Sequence, residues 1–223
     1  MLSFSPLPPS RFQRIYRATW GRVFAASYDR FLAGAEAGKL GRLRAGVVGD
    51  ATGVVLDIGA GTGVNLQHLS ADAQVIMAEP DPHMTSRLAQ RAAVLGRDVD
   101  LILAPGEQLP LEDDSVDHVL CTLVLCTVND PAATLAEAHR VLRPGGTLHL
   151  LEHVRSDVER TAKIQDRFRA PWSALACGCQ ANRQTEALLA PAGFTDIDLE
   201  HLTLSGCGPM LSSMIVGRAT KAR

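Results

Sequence analysis

The chain has 223 residues and a net charge of −2 at pH 7, with 46% hydrophobic and 21% charged residues. This length suits one well-cored α/β domain, and the composition excludes a disordered chain. The near-neutral charge gives no reason to expect a nucleic-acid partner. The longest apolar-leaning run, residues 119–128, has about half the roughly 20 residues of a transmembrane helix.

Five cysteines without regular spacing favour a reducing compartment, because secreted chains usually pair their cysteines. The first residues fit no secretory signal. We therefore expect a cytoplasmic protein with no transmembrane segment. No pattern in the sequence indicates the oligomeric state.

The N-terminal segment, residues 1–50, carries eight lysines and arginines against three aspartates and glutamates. From Phe12 to Phe31, aromatic and aliphatic residues recur every three or four positions, which predicts an amphipathic helix. We favour a helix that docks on the domain with solvated arginines, a role compatible with a lid over a ligand site. Contact with an acidic acceptor or a membrane surface is the less favoured alternative.

A glycine loop follows the first predicted strand, an apolar run that starts at Val54. Gly59, Gly61 and Gly63 form a G-x-G-x-G pattern at the start of a helical pattern over 63–70. Glycines allow the backbone to approach a ligand where any Cβ would collide. The dinucleotide pattern G-x-G-x-x-G would need glycine at position 64, where the chain has Val64. The loop therefore favours an adenosine-bearing ligand other than NAD.

The second predicted strand, residues 74–79, ends in an acid. Glu79 follows Asp57 by about 20 residues, the spacing at which α/β nucleotide folds place the carboxylate that binds both ribose hydroxyls. Asp81 and Pro82 then suit the cap and first turn of a helix over 82–95. Both features support a nucleotide-type ligand.

The remaining elements alternate in the manner of a parallel sheet covered on both faces. Apolar runs predict strands at 99–104 and 117–122, a helix follows at 131–142, and a fifth strand follows a Pro-Gly-Gly at 144–146. Basic and apolar residues mixed over 155–190 predict an inserted helical cap. Two closing strands are predicted at 195–205 and 212–219.

Three ordered blocks resemble the class I S-adenosylmethionine-dependent methyltransferases, in particular the methyltransferase type 11 group. The blocks are Leu-Asp-Ile-Gly-Ala-Gly-Thr-Gly at 56–63, the acid Glu79, and Arg-Val-Leu-Arg-Pro-Gly-Gly-Thr-Leu at 140–148. Further segments are similar to the small-thiol S-methyltransferases of animal microsomes and their bacterial relatives: 104–107, 121–128, 151–154 and 171–172.

The resemblance implies a Rossmann-like α/β fold. Its seven-stranded sheet would be mostly parallel, end in an antiparallel hairpin and carry helices on both faces. The whole chain, residues 1–223, would form one domain. Its parts would be an N-terminal helical lid at 1–50, a cofactor-binding core at 51–152, a helical cap at 153–193 and closing strands at 194–223.

The same resemblance implies S-adenosyl-L-methionine as methyl donor, with S-adenosyl-L-homocysteine as product. Asp57 would take the α-ammonium of the donor, Glu79 its ribose, and Met84 would pack against its adenine. Relatives usually have aspartate at the position of Pro105, so adenine recognition is expected to fall to Gly106 and Glu107. The expected donor-binding residues are Tyr28, Asp57, Gly59, Ala60, Gly61, Thr62, Gly63, Glu79, Pro80, Met84, Gly106, Glu107, Thr122 and Leu123.

The acceptor is expected to be a small molecule, and a thiol is the leading hypothesis. A thiol has a pKa near 8.5 and needs less help with deprotonation than an alcohol. His153 directly follows the fifth predicted strand and is the candidate general base, with a structural histidine as the alternative. The predicted acceptor pocket consists of Tyr28, His153, Phe168 and Trp172, although the last two would equally well only seal the cap.

Alternatives stay open at this stage. O- or N-methylation of a natural product, a quinone or a lipid head group would use the same donor site. An NAD-dependent reductase and a non-catalytic cofactor-binding protein are alternatives of another class. Cys177 and Cys179 invite a metal or arsenic site, but zinc sites usually combine longer spacings in two pairs. We therefore predict no metal and interpret these cysteines as small hydrophobic residues.

Overall fold

The computed structural model describes residues 22–223. Its helices are α1 (Arg22–Glu36), α2 (Lys39–Val48), α3 (Pro82–Leu95), α4 (Pro131–Val141) and α5 (Glu159–Leu175). Its strands are β1 (Val54–Ile58), β2 (Gln74–Ala78), β3 (Asp100–Ile102), β4 (Val116–Thr122), β5 (Leu142–His153), β6 (Phe194–Thr203) and β7 (Ser213–Lys221). Short 3₁₀ helices occur at Val64–Gln67 and Glu186–Leu188. Within this range, no helix is long and apolar enough to cross a membrane.

The seven strands form one sheet in the order β3-β2-β1-β4-β5-β7-β6. The first five strands pair in parallel, whereas β7 runs antiparallel to both β5 and β6. This confirms the predicted mostly parallel sheet with its closing antiparallel strands. The sheet reverses direction of growth at β1 and β4, so the loops after these strands meet at one edge, where α/β folds bind ligands.

Both faces of the central strands are buried, as expected for a sheet covered by helices. In β1, Leu56 and Ile58 belong to one hydrophobic cluster, which also includes Val119 of β4. Val55 belongs to a second cluster together with Leu120. Neighbouring residues of a strand therefore face opposite hydrophobic layers. The polar residues at the ends of the strands are available to form a ligand site.

Helices α3 and α4 begin and end where the sequence predicted. The Asp81 side chain accepts a hydrogen bond from the backbone nitrogen of His83, and Gly96 ends α3 with φ +63°. The Asp130 side chain accepts hydrogen bonds from two backbone nitrogens in the first turn of α4. Both helices also have proline at their start, which is favoured there because this N–H has no intrahelical partner.

Other elements differ from the sequence prediction. The predicted helix at 63–70 is only the 3₁₀ turn Val64–Gln67, because the Asn65 side chain is bound to the ends of β1 and β4. Strand β5 begins before the Pro-Gly-Gly segment, with an irregular register against β4 between Val116 and His118. The predicted cap contains α5.

The N-terminal helix is described only from Arg22 onward. The helical pattern that starts at Phe12 lies partly outside the described residues. A separate helix, α2, follows α1 and was not predicted from the sequence. The predicted division of the chain into lid, core, cap and closing strands stays a prediction.

Candidate active site

The glycine loop after β1 lies tightly against the neighbouring strand ends. Gly59 and Gly61 have φ of +64° and +56°, a conformation that glycine adopts without the steric cost of a Cβ. A Cβ on Gly59 would lie 2.1 Å from Cγ2 of Val124. The backbone nitrogens of Gly59 and Ala60 donate to the Ala78 carbonyl at 2.8 and 3.2 Å. The sequence therefore needs glycine at 59 for packing as well as for conformation.

Asp57 brings a buried carboxylate to this edge of the sheet. Its side chain is fully buried, and Oδ2 accepts a 2.9 Å hydrogen bond from Nδ2 of Asn65. Oδ1 is buried without a hydrogen-bond partner among the described residues. Burial raises the pKa of Asp57 to about 7, because the interior disfavours the charged form. Arg44 acts on this carboxylate electrostatically, but no described cation is in direct contact with it, and a ligand ammonium would supply that contact.

Arg44 of α2 lies on the other side of Asn65. Its Nη1 donates to Oδ1 of Asn65 at 2.6 Å and to Oγ1 of Thr122 at 2.9 Å, and its Nη2 pairs with Glu36 at 2.7 Å. The residue is only 3% exposed. The amide of Asn65 therefore separates Arg44, a cation that lines the cleft, from the buried carboxylate of Asp57. The sequence reasoning missed Arg44 and Asn65, because neither lies in a recognisable motif.

Glu79, at the end of β2, connects the glycine loop to the start of α3. Its carboxylate accepts hydrogen bonds from the backbone nitrogens of Gly61 and Asp81, both at 2.9 Å. The residue is 8% exposed, and burial raises its pKa. Its neighbour Pro80 is exposed, and Met84 is half-buried in the first turn of α3. Glu79, the residue predicted to bind the ribose, therefore lies beside the glycine loop.

Helix α1 covers the glycine loop. The Thr62 hydroxyl donates to Oδ1 of Asp29 at 2.6 Å, and Arg91 of α3 pairs with the same carboxylate at 3.2 Å. Tyr28, the preceding residue, lines the cleft, and burial raises its pKa. The residues that line this cleft are Tyr28, Arg44, Gly59, Ala60, Gly61, Thr62, Val64, Asn65, Thr122 and Leu123.

The predicted adenine-binding residues lie outside this cleft lining. A Cβ on Gly106 would lie 2.7 Å from Cγ2 of Ile58, so this loop packs closely on the end of β1. Oε1 of Glu107 accepts hydrogen bonds from the backbone nitrogens of Asn129 and Asp130, at 2.8 and 3.2 Å. Glu107 thereby holds the start of α4, and its contact with adenine stays a prediction.

A larger cavity, of about 460 Å³, lies elsewhere in the fold. It is lined by residues 154–157 and 183–187 together with His201 and Ile215. Neither the glycine loop nor Asp57 or Glu79 contributes to it. This larger cavity is therefore separate from the candidate donor site, which is the narrow cleft at the glycine loop.

A second group of titratable side chains lies behind the turn that follows β4. The ligand atoms of Cys126, His153 and Cys179 all lie within 4.8 Å of one another, and we call these residues the Cys-Cys-His cluster. His153 is the last residue of β5, and Cys179 follows α5. Trp172 packs against the hydrophobic cluster that contains both cysteines, whereas Phe168 is 51% exposed. Trp172 and His153 thus both lie beside Cys179, and the acceptor-pocket role expected of Phe168 stays a prediction.

The two cysteines of the cluster differ in the pKa of their thiols. The Cys126 thiol donates towards Cys179, which lowers the pKa of Cys179 and raises that of Cys126. His153 and Trp172 lie beside Cys179 and lower its pKa further. The buried nitrogens Nδ1 of His153 and Nε1 of Trp172 nevertheless lack hydrogen-bond geometry to any described group. The sequence reasoning considered Cys179 only with Cys177 and missed Cys126.

Glu152 fixes the turn that joins the cleft to the cluster. Its fully buried carboxylate accepts hydrogen bonds from the backbone nitrogens of Val124 and Leu125, both at 2.8 Å, and of Cys126 at 3.4 Å. Burial raises the pKa of Glu152 to about 7. The turn begins at Leu123, which lines the cleft. One carboxylate therefore positions residues of both sites.

Comparison with known proteins identifies the family. A family model described as "Methyltransferase domain" matches residues 56–150. The human thiol S-methyltransferase TMT1B is 38% identical over 152 residues, which cover 66% of this chain and 62% of TMT1B. The human thiol S-methyltransferase TMT1A is 31% identical over 172 residues, which cover 75% of this chain and 70% of TMT1A. The chain thus spans less than two thirds of TMT1B.

A solved structure shows the same fold. The crystal structure of an S-adenosylmethionine-dependent methyltransferase from Thermotoga maritima superimposes with a TM-score of 0.66 at 22% identity. The match covers 90% of this chain and 97% of that one. The glycine loop, the sheet order and the sequence relatives lead to the same conclusion. The chain belongs to the S-adenosylmethionine-dependent methyltransferase family that includes the thiol S-methyltransferases TMT1A and TMT1B.

Proposed function

We propose that this protein transfers a methyl group from S-adenosyl-L-methionine to a small thiol. The observation that carries the proposal is the buried carboxylate of Asp57, whose Oδ1 has no partner among the described residues and whose Oδ2 is hydrogen-bonded to Asn65 of the glycine-lined cleft. S-adenosylmethionine, when bound, supplies a methyl group on a sulfonium sulfur that is already electrophilic. The protein then has to bind, orient and exclude water.

The charges of the cleft match the amino-acid end of this donor. Oδ1 of Asp57 would accept from the α-ammonium, and Arg44, on the far side of Asn65, would attract the α-carboxylate. Glu79 would bind the ribose hydroxyls, for which each of its oxygens retains a lone pair beyond the backbone hydrogen bonds. The glycine loop leaves room for the donor backbone. Three side chains thus account for the polar groups of the donor apart from adenine.

The acceptor would approach from the side of Tyr28 and Leu123. Two relatives of this chain are thiol S-methyltransferases, and the Cys-Cys-His cluster lies behind the turn that begins at Leu123. A thiol loses its proton near pH 8.5, so the site needs only a modest base or a cationic environment. O- or N-methylation of another small molecule is the alternative. The base role of His153 stays a prediction, and His153→Ala would slow turnover by about 10²-fold if it holds.

The acceptor is tested by turnover of a methyl-labelled donor with matched thiols, amines and phenols. We expect the label in the thioether products. Label in phenol or amine products, with thiols inert, would overturn the thiol assignment but leave the family intact. For the donor, Glu79→Ala should weaken S-adenosylhomocysteine binding by about 1–3 kcal/mol in calorimetry, since a charge-assisted hydrogen bond is lost. Glu112→Gln, at an exposed glutamate, is the control.

A further inference from the structure

We infer that the Cys-Cys-His cluster binds one thiophilic divalent cation, zinc by its chemistry, and that this ion holds the acceptor thiol as a thiolate beside the donor cleft. The identity of the acceptor rests on the proposed function. The ion site rests on the three side chains alone. The two parts are therefore tested separately below.

The ligand set is the first argument. Two thiols and one imidazole are the ligands that zinc prefers, and three protein ligands leave the fourth position of a tetrahedral ion for a substrate. Zinc–sulfur and zinc–nitrogen bonds of about 2.3 and 2.0 Å place tetrahedral ligand atoms roughly 3.5–3.8 Å apart. The ligand atoms of Cys126, His153 and Cys179 lie within 4.8 Å of one another. Binding would therefore draw them together by about 1 Å or less.

The ligands come from well-fixed segments. His153 lies in β5, where it pairs with Met214 of β7. The backbone nitrogen of Cys126 donates to the buried Glu152, and its carbonyl accepts from Gln180, next to Cys179, at 2.7 Å. This backbone hydrogen bond holds the two cysteine-bearing segments together. The site is thus largely formed before any ion binds, which lowers the conformational cost of coordination.

The burial of the cluster is the second argument. Nδ1 of His153 is buried and lacks a hydrogen-bond partner among the described residues, although buried polar atoms are normally paired. A disulfide between Cys126 and Cys179 would leave Nδ1 of His153 without a partner. An ion shared by all three residues uses the imidazole together with both sulfurs. In this arrangement His153 is a metal ligand and not the general base predicted from the sequence.

The position of the cluster is the third argument. The Cys126 sulfur lies 3.6 Å from the carbonyl oxygen of Leu123, and Leu123 lines the donor cleft. Tyr28, which also lines the cleft, lies close enough to Cys126 for their charges to interact. An ion here would be separated from the methyl-transfer site by a single turn of backbone.

The chemistry then balances without an oxidant or reductant. The acceptor thiol gives its proton to solvent when its sulfur binds the fourth position of the ion. An electron pair of that sulfur forms the new bond to the methyl carbon, the sulfonium–methyl bond breaks, and its electrons remain on S-adenosylhomocysteine. The thioether product is neutral and a weaker ligand than a thiolate, so it leaves the ion.

The ion site is tested with Co²⁺ as a spectroscopic probe of the reduced, metal-free full chain. We expect one Co²⁺ per chain, with thiolate-to-cobalt charge-transfer bands and the intense visible bands of a tetrahedral site, displaced by Zn²⁺. Cys126→Ser and Cys179→Ser should each weaken the bands, and Cys207→Ser, outside the cluster, should not. Absence of thiolate-to-cobalt bands in the unaltered chain would overturn the ion site whether or not the variants fold. If a thiol titration after reducing purification found neither Cys126 nor Cys179 as a free thiol, the two residues would instead form a disulfide.

The role of the ion is tested by adding 2-mercaptoethanol to the Co²⁺ protein without methyl donor. A shift of the visible bands would show that the thiol joins the coordination sphere, and unchanged bands would overturn this role. At pH 7 about 3% of a free thiol is ionised, so metal removal should slow thiol methylation by up to about 30-fold. The deficit should shrink towards pH 9, as the free thiol ionises.

The outcomes separate the two proposals. Metal-free protein that methylates thiols at full rate would refute the ion's role and support the proposed function. Protein that binds Co²⁺ through the cluster but methylates only amines or phenols would refute the thiol acceptor and retain the ion site.

Discussion

The Asn65 amide donates to Oδ2 of Asp57 at 2.9 Å, and Oδ1 of the same carboxylate is left buried without a partner among the described residues. The other end of this amide accepts from Arg44. Asn65 therefore fixes an anion and a cation in the donor cleft without letting them neutralise each other. Burial of these charges lowers the stability of the fold in the absence of ligand. The same two charges could bind the ammonium and the carboxylate of a zwitterionic amino-acid group.

The first prediction concerns Asp57→Asn. The pKa of Asp57 rises from 3.8 to about 7 on folding, so the folded state binds the proton more tightly than the unfolded state. The contribution of Asp57 to the free energy of unfolding is fully present below about pH 4. As pH rises towards 7 this contribution is lost, by up to about 4 kcal/mol. Asp57→Asn should therefore stabilise the fold at pH 7 and above, measured by urea unfolding.

The same variant should lose donor affinity. The carboxamide cannot form the ion pair with the α-ammonium, so S-adenosylhomocysteine binding should weaken by about 1.5–3 kcal/mol in calorimetry. Asp72→Asn, at an exposed aspartate, controls for net charge and should change neither quantity. Unchanged affinity for Asp57→Asn would place the donor's ammonium elsewhere.

A second prediction compares two glycines of the loop. Gly59 and Gly61 have similar positive φ, so alanine at either costs about 1–2 kcal/mol of conformational strain. At Gly59 the new Cβ would also collide with Val124 at 2.1 Å, whereas at Gly61 the nearest atom is 3.9 Å away. Gly59→Ala should therefore be more destabilising in urea unfolding, by a further 1–3 kcal/mol or so.

The double variant isolates the collision. Val124→Ala removes the Cγ2 atom at 2.1 Å but leaves its own Cβ 2.9 Å from the new Cβ, so it should recover part of the extra cost of Gly59→Ala and none of the cost of Gly61→Ala. Gly61→Ala should chiefly weaken S-adenosylhomocysteine binding, because its Cβ would occupy the space of the cleft. Equal destabilisation by both alanines would contradict the packing role of Gly59.

Much of the fold follows from local pattern. The alternation of apolar runs with helical periods predicts a parallel sheet covered by helices on both faces, and Asp81 and Asp130 mark two helix starts within one residue. Such signals lie within a few positions along the chain. They also predicted the glycine loop and placed Glu79 beside it, where the structure shows it bonded to the Gly61 nitrogen.

The rest of the site depends on contacts between distant residues. Arg44 and Thr122 are 78 positions apart, and nothing around Arg44 in the sequence indicates that it is buried. Cys126 and Cys179 lie on different segments, and only the return of the chain after α5 brings them together. Sequence spacing found the pair Cys177 and Cys179 because short spacing is visible in a sequence, whereas spatial convergence is not.

A third prediction concerns the turn held by Glu152. Glu152→Ala would leave the backbone nitrogens of Val124 and Leu125 buried without an acceptor, which costs about 1–3 kcal/mol for each. Glu152→Gln retains one acceptor oxygen and should cost less. Both variants should weaken S-adenosylhomocysteine binding, because the turn carries Leu123 into the cleft.

Urea unfolding and calorimetry on the two variants check this order. Glu200→Gln, at an exposed glutamate in β6, is the control and should leave both quantities unchanged. If Glu152→Ala and Glu152→Gln were equally stable, the hydrogen bonds to the turn would contribute little.

The last prediction is a pH dependence of stability that arises far from the cleft, at His149. This side chain is 3% exposed, and its Nδ1 donates to the Val47 carbonyl at 2.7 Å. Because a carbonyl only accepts, Nε2 of His149 is the acceptor for Nδ1 of His118, at 2.9 Å. Burial first, and then the nearby charges of His118 and Arg218, lower the pKa of His149 from 6.5 to about 4 against the opposing effect of Asp50.

Protonation of His149 would place two donors against each other, so the folded state resists it. The unfolded state binds a proton near pH 6.5 and the folded state only near pH 4. The stability contributed by neutral His149 is therefore full above pH 6.5 and is lost as pH falls towards 4. Between pH 7 and pH 5 the loss should be about 2 kcal/mol. His149→Gln cannot titrate, so its stability, measured by urea unfolding across this range, should fall by about 2 kcal/mol less than that of the unaltered chain. Parallel curves would show that the pKa of His149 is the same in the folded and unfolded states.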